Sequence, residues 1–307
     1  MGTMVGRNHR WSHPPSGWSC GFHDPSDRAM CRRARPGDDG RMWFSANGAV
    51  LLTAQAACIA LPGAGLPDWT RRFRTRAWAL VLPLSIAVVV VAIGVIPATA
   101  GALTWVALLL VPPGCALALG WAARGARPLL AVLALPSAAL VWEAPHTRAG
   151  ELAAIVLIAG SAITLGRLLA GVTPLRLLRA GVIAMALVDA WLVFSGRLEA
   201  PNDLLIVASP GHGLPQLQSA SFGTSGLGYG DFFAAAVVGG ILAAERGPQL
   251  AAALGMVAVS LCWDQLFLVY DLLPATIPPA IVLIAVSLHG MRGVSRRSRP
   301  TSAPSRA

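Results

Sequence analysis

The sequence contains no lysine and has little charge of either sign. Its 24 basic residues are all arginine, Asp and Glu number only 14, and charged residues make up 12% of the 307 residues. This is about half of the roughly 25% found in soluble domains, which argues against a water-soluble protein. The net charge of +10 does not indicate nucleic-acid binding, because the arginines lie in short loops between apolar runs, where they set the orientation of membrane helices. We therefore expect no nucleic-acid partner.

Several common functional signatures are also missing. The five cysteines form no Cys-x-x-Cys pair and show no regular spacing, which excludes a disulfide framework and a cysteine zinc site. His146, His212 and His289 are far apart, so no metal site is expected. Neither Gly-x-Ser-x-Gly nor His-Glu-x-x-His occurs, which removes the usual serine and zinc protease signatures. The sequence thus predicts neither a metal nor another cofactor.

Long apolar runs dominate the remainder, and the mean hydropathy is +0.62. A helix needs roughly 17–25 apolar residues to cross a bilayer. Nine runs approach or reach this length, and 128–143 is among the shortest of them. They are 44–64, 77–99, 102–123, 128–143, 150–171, 178–196, 227–245, 249–269 and 273–291. These runs predict an all-α membrane protein, a polytopic bundle of about nine transmembrane helices.

Connections rich in arginine alternate with connections poor in arginine along this series of runs. They cluster after the first, third, fifth, seventh and ninth, whereas the other connections are poor in arginine and carry acidic residues. Because positive loops stay in the cytoplasm, this pattern predicts an outer N-terminus and a cytoplasmic, basic tail at 292–307. The expected location is the plasma membrane of a bacterium or archaeon.

Two segments differ from the membrane runs. Residues 1–41 have no apolar stretch typical of a signal peptide; we expect either a disordered tail or a true start at Met30 or Met42. The outer connection 197–226 is predicted to contain a strand at 203–208, a turn at 210–213, a return strand at 214–218 and a flexible lead at 219–225. The remainder divides into a five-helix scaffold, 42–177, and a membrane core, 178–291.

Two acidic residues stand alone in apolar runs of this core. Asp189 lies in the sixth run and Asp231 at the start of the seventh. A carboxylate in hydrocarbon is costly and marks a functional site, so each acid is the best partner for the other. Two carboxyl groups sharing one proton can activate a water and polarise a carbonyl group, which is the chemistry of aspartyl proteolysis.

Small residues and prolines accompany these acids. Gly228 and Gly230 precede Asp231 and are predicted to let this helix bend and another helix approach. The pairs Ala235/Gly239 and Ala236/Gly240 predict close helix packing in lipid. The stretch Leu273-Pro274-Ala275-Thr276 opens the last run, where proline predicts irregular backbone beside a cavity or packed protein.

Together these motifs resemble the presenilin and signal peptide peptidase family of intramembrane aspartyl proteases. Leu227-Gly228-Tyr229-Gly230-Asp231-Phe232 is similar to that family's second catalytic motif, and the resemblance covers roughly residues 178–291. Two positions depart from the family pattern: Val188-Asp189 replaces Tyr-Asp, and Pro274-Ala275-Thr276 replaces Pro-Ala-Leu. Pro279-Ala280-Ile281 is an alternative alignment of the third motif, but it leaves a shorter last span.

The resemblance implies catalytic roles for Asp189 and Asp231 and a site shaped by Gly228, Tyr229, Gly230, Pro274, Ala275 and Thr276. It implies membrane-embedded peptide substrates and leaves accessory subunits open. Because a helical substrate must unwind, pairing with an exposed strand would stabilise its extended form. The residues that could offer such an edge are Leu204, Leu205, Ile206 and Val207, or those just before Gly228.

Three other functions remain open. A prepilin-type peptidase also uses a Gly-x-Gly-Asp acid, but its family pattern has lysine two residues after the acid, where this chain has Phe233. A proton-coupled transporter or channel could use the same acids, with Asp264, Gln265 and Asp271 as relay residues. An inactive homologue could serve as a membrane scaffold.

Overall fold

A computed structural model gives the fold as two separate compact units, Met1–Phe44 and Ser45–Ala307. The structure describes residues 18–19, 32–33, 46–63, 65, 72–96, 98–197, 204, 208, 211, 214–268 and 273–297. Within them, it describes no side chain at 18–19, 32–33, 46, 267–268 or 290–297. In the N-terminal unit, strand β1 (Trp18–Ser19) pairs antiparallel with β2 (Arg32–Arg33). This short ladder lies where the sequence predicts no regular structure.

The second unit is mostly helical, and each predicted apolar run contains one α-helix. The nine helices in the described part of the chain are α1 (Ala46–Ala60), α2 (Val81–Val95), α3 (Ala98–Leu117), α4 (Ala134–Glu143), α5 (Arg148–Val172), α6 (Leu175–Phe194), α7 (Tyr229–Ala244), α8 (Gln249–Asp264) and α9 (Ile277–Arg297). Four shorter helical turns, at Ala77–Leu80, Ala118–Ala122, Pro128–Leu133 and Gln265–Leu268, extend or join them.

Four of the described helical segments are long and apolar enough to cross a membrane: Ala77–Val95, Ala98–Ala122, Arg148–Val172 and Leu175–Phe194. In the first, apolar side chains such as Val91 and Val95 are 62% and 72% exposed. A water-soluble protein would rarely expose such a surface, whereas lipid covers it at little cost. The apolar stretches of the other five helices have 10–17 residues, Ile277–His289 in α9 among them, and are shorter than the usual span.

Helix α7 forms the centre of the bundle and packs between α5 and α1. It is apolar on all sides, as expected of a helix surrounded by other helices. A Cβ atom added at Gly240 would lie 2.6 Å from the backbone oxygen of Gly166 on α5, and one added at Gly239 would meet the α1 backbone at Cys58 and Ile59. The predicted close packing through the small residues of α7 is therefore confirmed.

Arg167 fixes this packing from within. Its side chain on α5 is fully buried, Nη1 donates to the Gly240 carbonyl oxygen at 3.3 Å, and Nη2 donates to that of Gly65 at 3.3 Å. A buried cation is stable only when polar groups replace its water. Arg167 thus ties α5 to the last turns of α7 and to the connection after α1.

A β-hairpin leads directly into α7. Strand β3 (Ser219–Phe222) pairs antiparallel with β4 (Ser225–Gly228), and Gly223 has a φ of +61° in the two-residue turn. Glycine at this position is typical of a tight hairpin turn, because its positive φ matches the twist of the strands. The predicted flexible lead at 219–225 is therefore wrong.

Two helix N-termini hold this hairpin. The Gly223 N–H donates to Glu151 Oε2 at 3.1 Å, and the guanidinium of Arg148 lies 4.8 Å from the Phe222 ring centre; both partners are in the first turn of α5. Asn47 at the start of α1 donates to the Thr224 hydroxyl at 3.4 Å. The turn is thereby fixed on the same helices that enclose α7.

The predicted strands upstream of the hairpin are not observed where the structure describes this connection. Leu204 is helical and accepts a hydrogen bond from the Ala208 N–H at 3.0 Å, the i to i+4 bond of a helical turn. The predicted return strand at 214–218 is irregular. Asp203, Leu205, Ile206, Val207 and the predicted turn residues His212 and Gly213 lie outside the described residues.

Candidate functional site

Asp189 lies on α6, five residues before the helix ends, and is 9% exposed. The residues on the same face of the helix, including Met185 and Leu192, are buried and apolar. The hydroxyl group of Thr276 donates to Asp189 Oδ2 at 2.6 Å, and the Thr276 backbone N–H also interacts with this carboxyl group. One Asp189 oxygen is therefore held by the chain that precedes α9.

The sequence around Thr276 explains why its hydroxyl is available. Thr276 immediately precedes α9, in the position where a threonine hydroxyl normally accepts hydrogen bonds from the second and third helical N–H groups. Those positions are Pro278 and Pro279, which have no N–H. The hydroxyl consequently has no capping partner in its own helix, and it bonds to Asp189 instead.

The irregular backbone predicted here is confirmed. Residues 273–276 are not helical, α9 begins at Ile277, and Leu273, Pro274 and Thr276 are buried while Ala275 is half-buried. The alternative motif Pro279-Ala280-Ile281 lies inside α9. The contact with Asp189 therefore comes from the first of the two alignments.

Asp231 is the third residue of α7. Its Oδ2 accepts a hydrogen bond from the Gly228 N–H at 3.1 Å, and its backbone oxygen accepts one from Gln55 Nε2 on α1 at 3.2 Å. A carboxylate at a helix N-terminus is stabilised by the unpaired N–H groups and by the helix dipole. Asp231 is therefore held in place by its own helix and the adjoining hairpin.

The bundle brings the two acids into one site. Helices α6 and α7 are in contact, α9 touches both, and the carboxyl groups of Asp189 and Asp231 lie close enough for their charges to interact. Thus three motifs far apart in the chain, at Asp189, at Asp231 and at Thr276, meet where α6, α7 and the start of α9 converge.

The structure gives the glycines and Tyr229 different tasks from those predicted. A Cβ atom at Gly230 would meet nothing within 4 Å, and one at Gly228 would meet only Asp231 Oδ2, at 3.3 Å. The prediction that these two glycines allow another helix to approach is therefore wrong. The Tyr229 hydroxyl forms a hydrogen bond with the Ser161 hydroxyl on α5 at 2.9 Å, which anchors the start of α7.

Gln55 is a site residue that the sequence reasoning missed. It lies on α1, is 2% exposed and supports the backbone of Asp231. The resemblance to known proteases covers only the C-terminal half, so it offered no guide to α1. The available signal was an amide side chain in the middle of an apolar run, which in a membrane helix indicates a buried polar contact.

Of the residues predicted for a proton relay, those that the structure describes are not part of this constellation. Asp264 is exposed at the end of α8, and Gln265 Nε2 donates to the Leu261 backbone oxygen at 3.1 Å. Asp271 lies outside the described residues. Where side chains are described, no three His, Cys, Asp or Glu residues are grouped so that they could hold a metal ion.

Comparisons of the chain with protein-family models, with curated proteins and with solved structures find no match. The arrangement itself can supply two carboxyl groups, one hydrogen-bonded through an oxygen to Thr276 and the other to a backbone N–H, in largely apolar surroundings. Such a pair can bind a water, exchange a proton and polarise a carbonyl group.

Proposed function

We propose that this protein is an intramembrane aspartyl endopeptidase that hydrolyses peptide bonds within transmembrane segments or remnant signal peptides. The observation that supports it best is the pair of acids on adjoining helices, Asp189 and Asp231, with charges that interact. The resemblance of the three motifs to the presenilin and signal peptide peptidase family supports the same function. In this proposal all nine helices cross the bilayer and the C-terminus is cytoplasmic.

The proposed reaction uses the two acids as a unit. One carboxylate takes a proton from a water held between them, and the protonated partner donates to the carbonyl oxygen of the scissile amide. The resulting tetrahedral carbon then breaks its bond to nitrogen as the amine receives a proton. In this reaction the hydrogen bond from the Thr276 hydroxyl to Asp189 Oδ2 orients the carboxyl group toward the water. Because the pair titrates together, neither acid is assigned as the initial proton donor.

The hairpin suggests how a helical substrate would be held open. Strand β4 ends at Gly228, whose N–H bonds Asp231. An extended substrate segment that adds to this small sheet would have its backbone directed toward the acids. Residues 204–207 have less support as the pairing edge, because Leu204 forms a helical hydrogen bond with Ala208.

The proposed function is tested with purified protein in lipid vesicles and a single-span reporter peptide. We expect two products whose new ends lie within the apolar stretch, identified by mass spectrometry. Asp264→Asn should cleave at the wild-type rate, since this exposed acid lies apart from the pair. If a panel of such reporters stays intact while an imposed pH gradient drives proton flux, the protein is a transporter and the proposal is wrong.

Thr276→Val tests the contribution of the hydroxyl to this reaction. Valine keeps the shape of threonine and the backbone N–H but removes the hydroxyl, so the Asp189 carboxyl group loses one of its two contacts with residue 276. We expect kcat to fall about tenfold, the effect of a charge-assisted hydrogen bond of about 1.4 kcal/mol, with KM nearly unchanged. Thr276→Ser should restore the rate. Equal rates for the valine and serine variants would show that the hydroxyl has no role in catalysis.

A further inference from the structure

A groove lies away from the acids, between α8 and α9. Its volume is about 850 Å³, and small or branched apolar side chains form its walls, including Ala251, Gly255 and Val259 on α8 and Val282 and Val286 on α9. The groove is open on one side, where Ala251 and Ile281 are exposed. From Ala251 to Val259 the helix rises about 12 Å, enough for about half of a lipid acyl chain.

One end of the groove is polar and carries excess positive charge. Arg179 on α6 and Glu245 at the end of α7 line it and form an ion pair. Arg176 and Arg246 lie within three residues of this pair in the sequence, so arginine outnumbers glutamate at this end of the bundle. The Nε atom of Arg179 is buried and has no hydrogen-bond partner. The Arg179 side chain as a whole is 31% exposed, so a turn of the guanidinium group can direct this donor toward an anion.

The other polar groups along the groove already have partners. The Ser287 hydroxyl donates to the Leu283 backbone oxygen at 2.7 Å, and His289 Nδ1 lies 3.1 Å from the Ala285 backbone oxygen. Among the described side chains that line the groove, Arg179 Nε is the one buried donor without a partner, and it lies at the polar end. That end is where α6 begins, α7 ends and α8 begins, opposite the end of α7 that carries the hairpin.

We infer that this groove binds one anionic phospholipid, with an acyl chain against α8 and α9 and the phosphate at Arg179. The phosphate can accept from the unpartnered Nε, and the excess of arginine at this end favours a headgroup with a net negative charge over a zwitterionic one. Apolar contacts with α8 and α9 hold the acyl chain. Binding occurs at the expense of part of the Arg179–Glu245 ion pair, which joins the two acid-bearing helices α6 and α7. The inference does not depend on the proposed protease activity.

The test is native mass spectrometry of the purified full chain after incubation with equal amounts of phosphatidylglycerol and phosphatidylcholine. We expect wild-type protein to retain one phosphatidylglycerol about tenfold more often than one phosphatidylcholine. Arg179→Gln should reduce this retention about tenfold, the effect of one lost charge-assisted bond. Ala251→Trp should block it by filling the groove.

Three matched variants separate binding from damage to the fold. Glu245→Gln breaks the same ion pair as Arg179→Gln, yet it frees the guanidinium and should retain at least as much phosphatidylglycerol as wild type. Arg197→Gln removes an exposed arginine beyond the opposite end of α6, and Leu250→Trp changes an exposed residue outside the groove; both should behave as wild type. Equal retention of the two lipids, or unchanged retention in Ala251→Trp, would overturn the inference. So would a bound second copy of the chain that Ala251→Trp releases.

Discussion

Asp189→Asn and Asp231→Asn are each expected to reduce reporter cleavage at least about a thousandfold, as for other groups that act as one catalytic unit. An amide keeps the size and hydrogen-bonding capacity of the carboxyl group but can neither take the proton from water nor share one with its partner. The measurement is the initial rate of product formation in vesicles containing equal amounts of folded protein.

The double variant makes this prediction specific to a shared site. If the acids act together, Asp189→Asn/Asp231→Asn should be no slower than the slower single variant, because either change already removes the pair. If the two acids acted independently, the rate of the double variant would instead be lowered by the product of the two single-variant factors. That result, or a single variant with more than a tenth of the wild-type rate, would contradict the shared site.

Gly240→Leu is expected to prevent stable assembly of the bundle, at a cost of at least about 3 kcal/mol. Even the first added carbon would lie 2.6 Å from the Gly166 backbone oxygen, and backbone cannot yield as a flexible side chain can. The larger side chain would force α7 away from α5 and remove the carbonyl group that Arg167 binds. Folded, monodisperse protein recovered after detergent extraction measures the effect.

Gly94→Leu is the matched control for that experiment. Gly94 lies in α2, and an added Cβ there meets nothing within 4 Å. This variant should be recovered as well as wild type. The smaller change from glycine to alanine should alter the stability of the protein in opposite directions at the two positions. Where the added methyl group has space, alanine in place of a helical glycine stabilises the protein by up to about 1 kcal/mol. Gly94→Ala should raise the unfolding temperature, and Gly240→Ala should lower it.

The sequence was sufficient to predict the helices and the small-residue packing of α7. Each apolar run contains a helix, because apolar length and arginine-rich connections are local features that a single sequence displays. The sequence predicted that Gly240 takes part in a close helix contact, but it did not identify Gly166 as the partner. A pair of small residues four apart shows which helix packs closely, but it does not identify the partner.

The two acids of the site could be predicted from the sequence, but most of the residues that hold them in place could not. The interaction of Asp189 with Asp231 and the position of Thr276 follow from motifs that stand out against apolar surroundings. The hairpin was missed because its strands contain small and polar residues with weak strand propensity, and the contacts of its turn with Glu151 and Asn47 are distant in sequence. Gln55 was missed for the same reason, since only the folded bundle brings α1 to Asp231.

The most direct test of the central claim is the binding of a peptide isostere in which the scissile amide is replaced by a secondary alcohol. Its hydroxyl takes the place of the attacking water and can bond both carboxyl groups, so it should bind far more tightly than the matching substrate. The account predicts tight binding to wild type and to Asp264→Asn, and loss of at least about a hundredfold in affinity for either Asp189→Asn or Asp231→Asn. Binding that survives both of these substitutions would contradict a paired-carboxyl site.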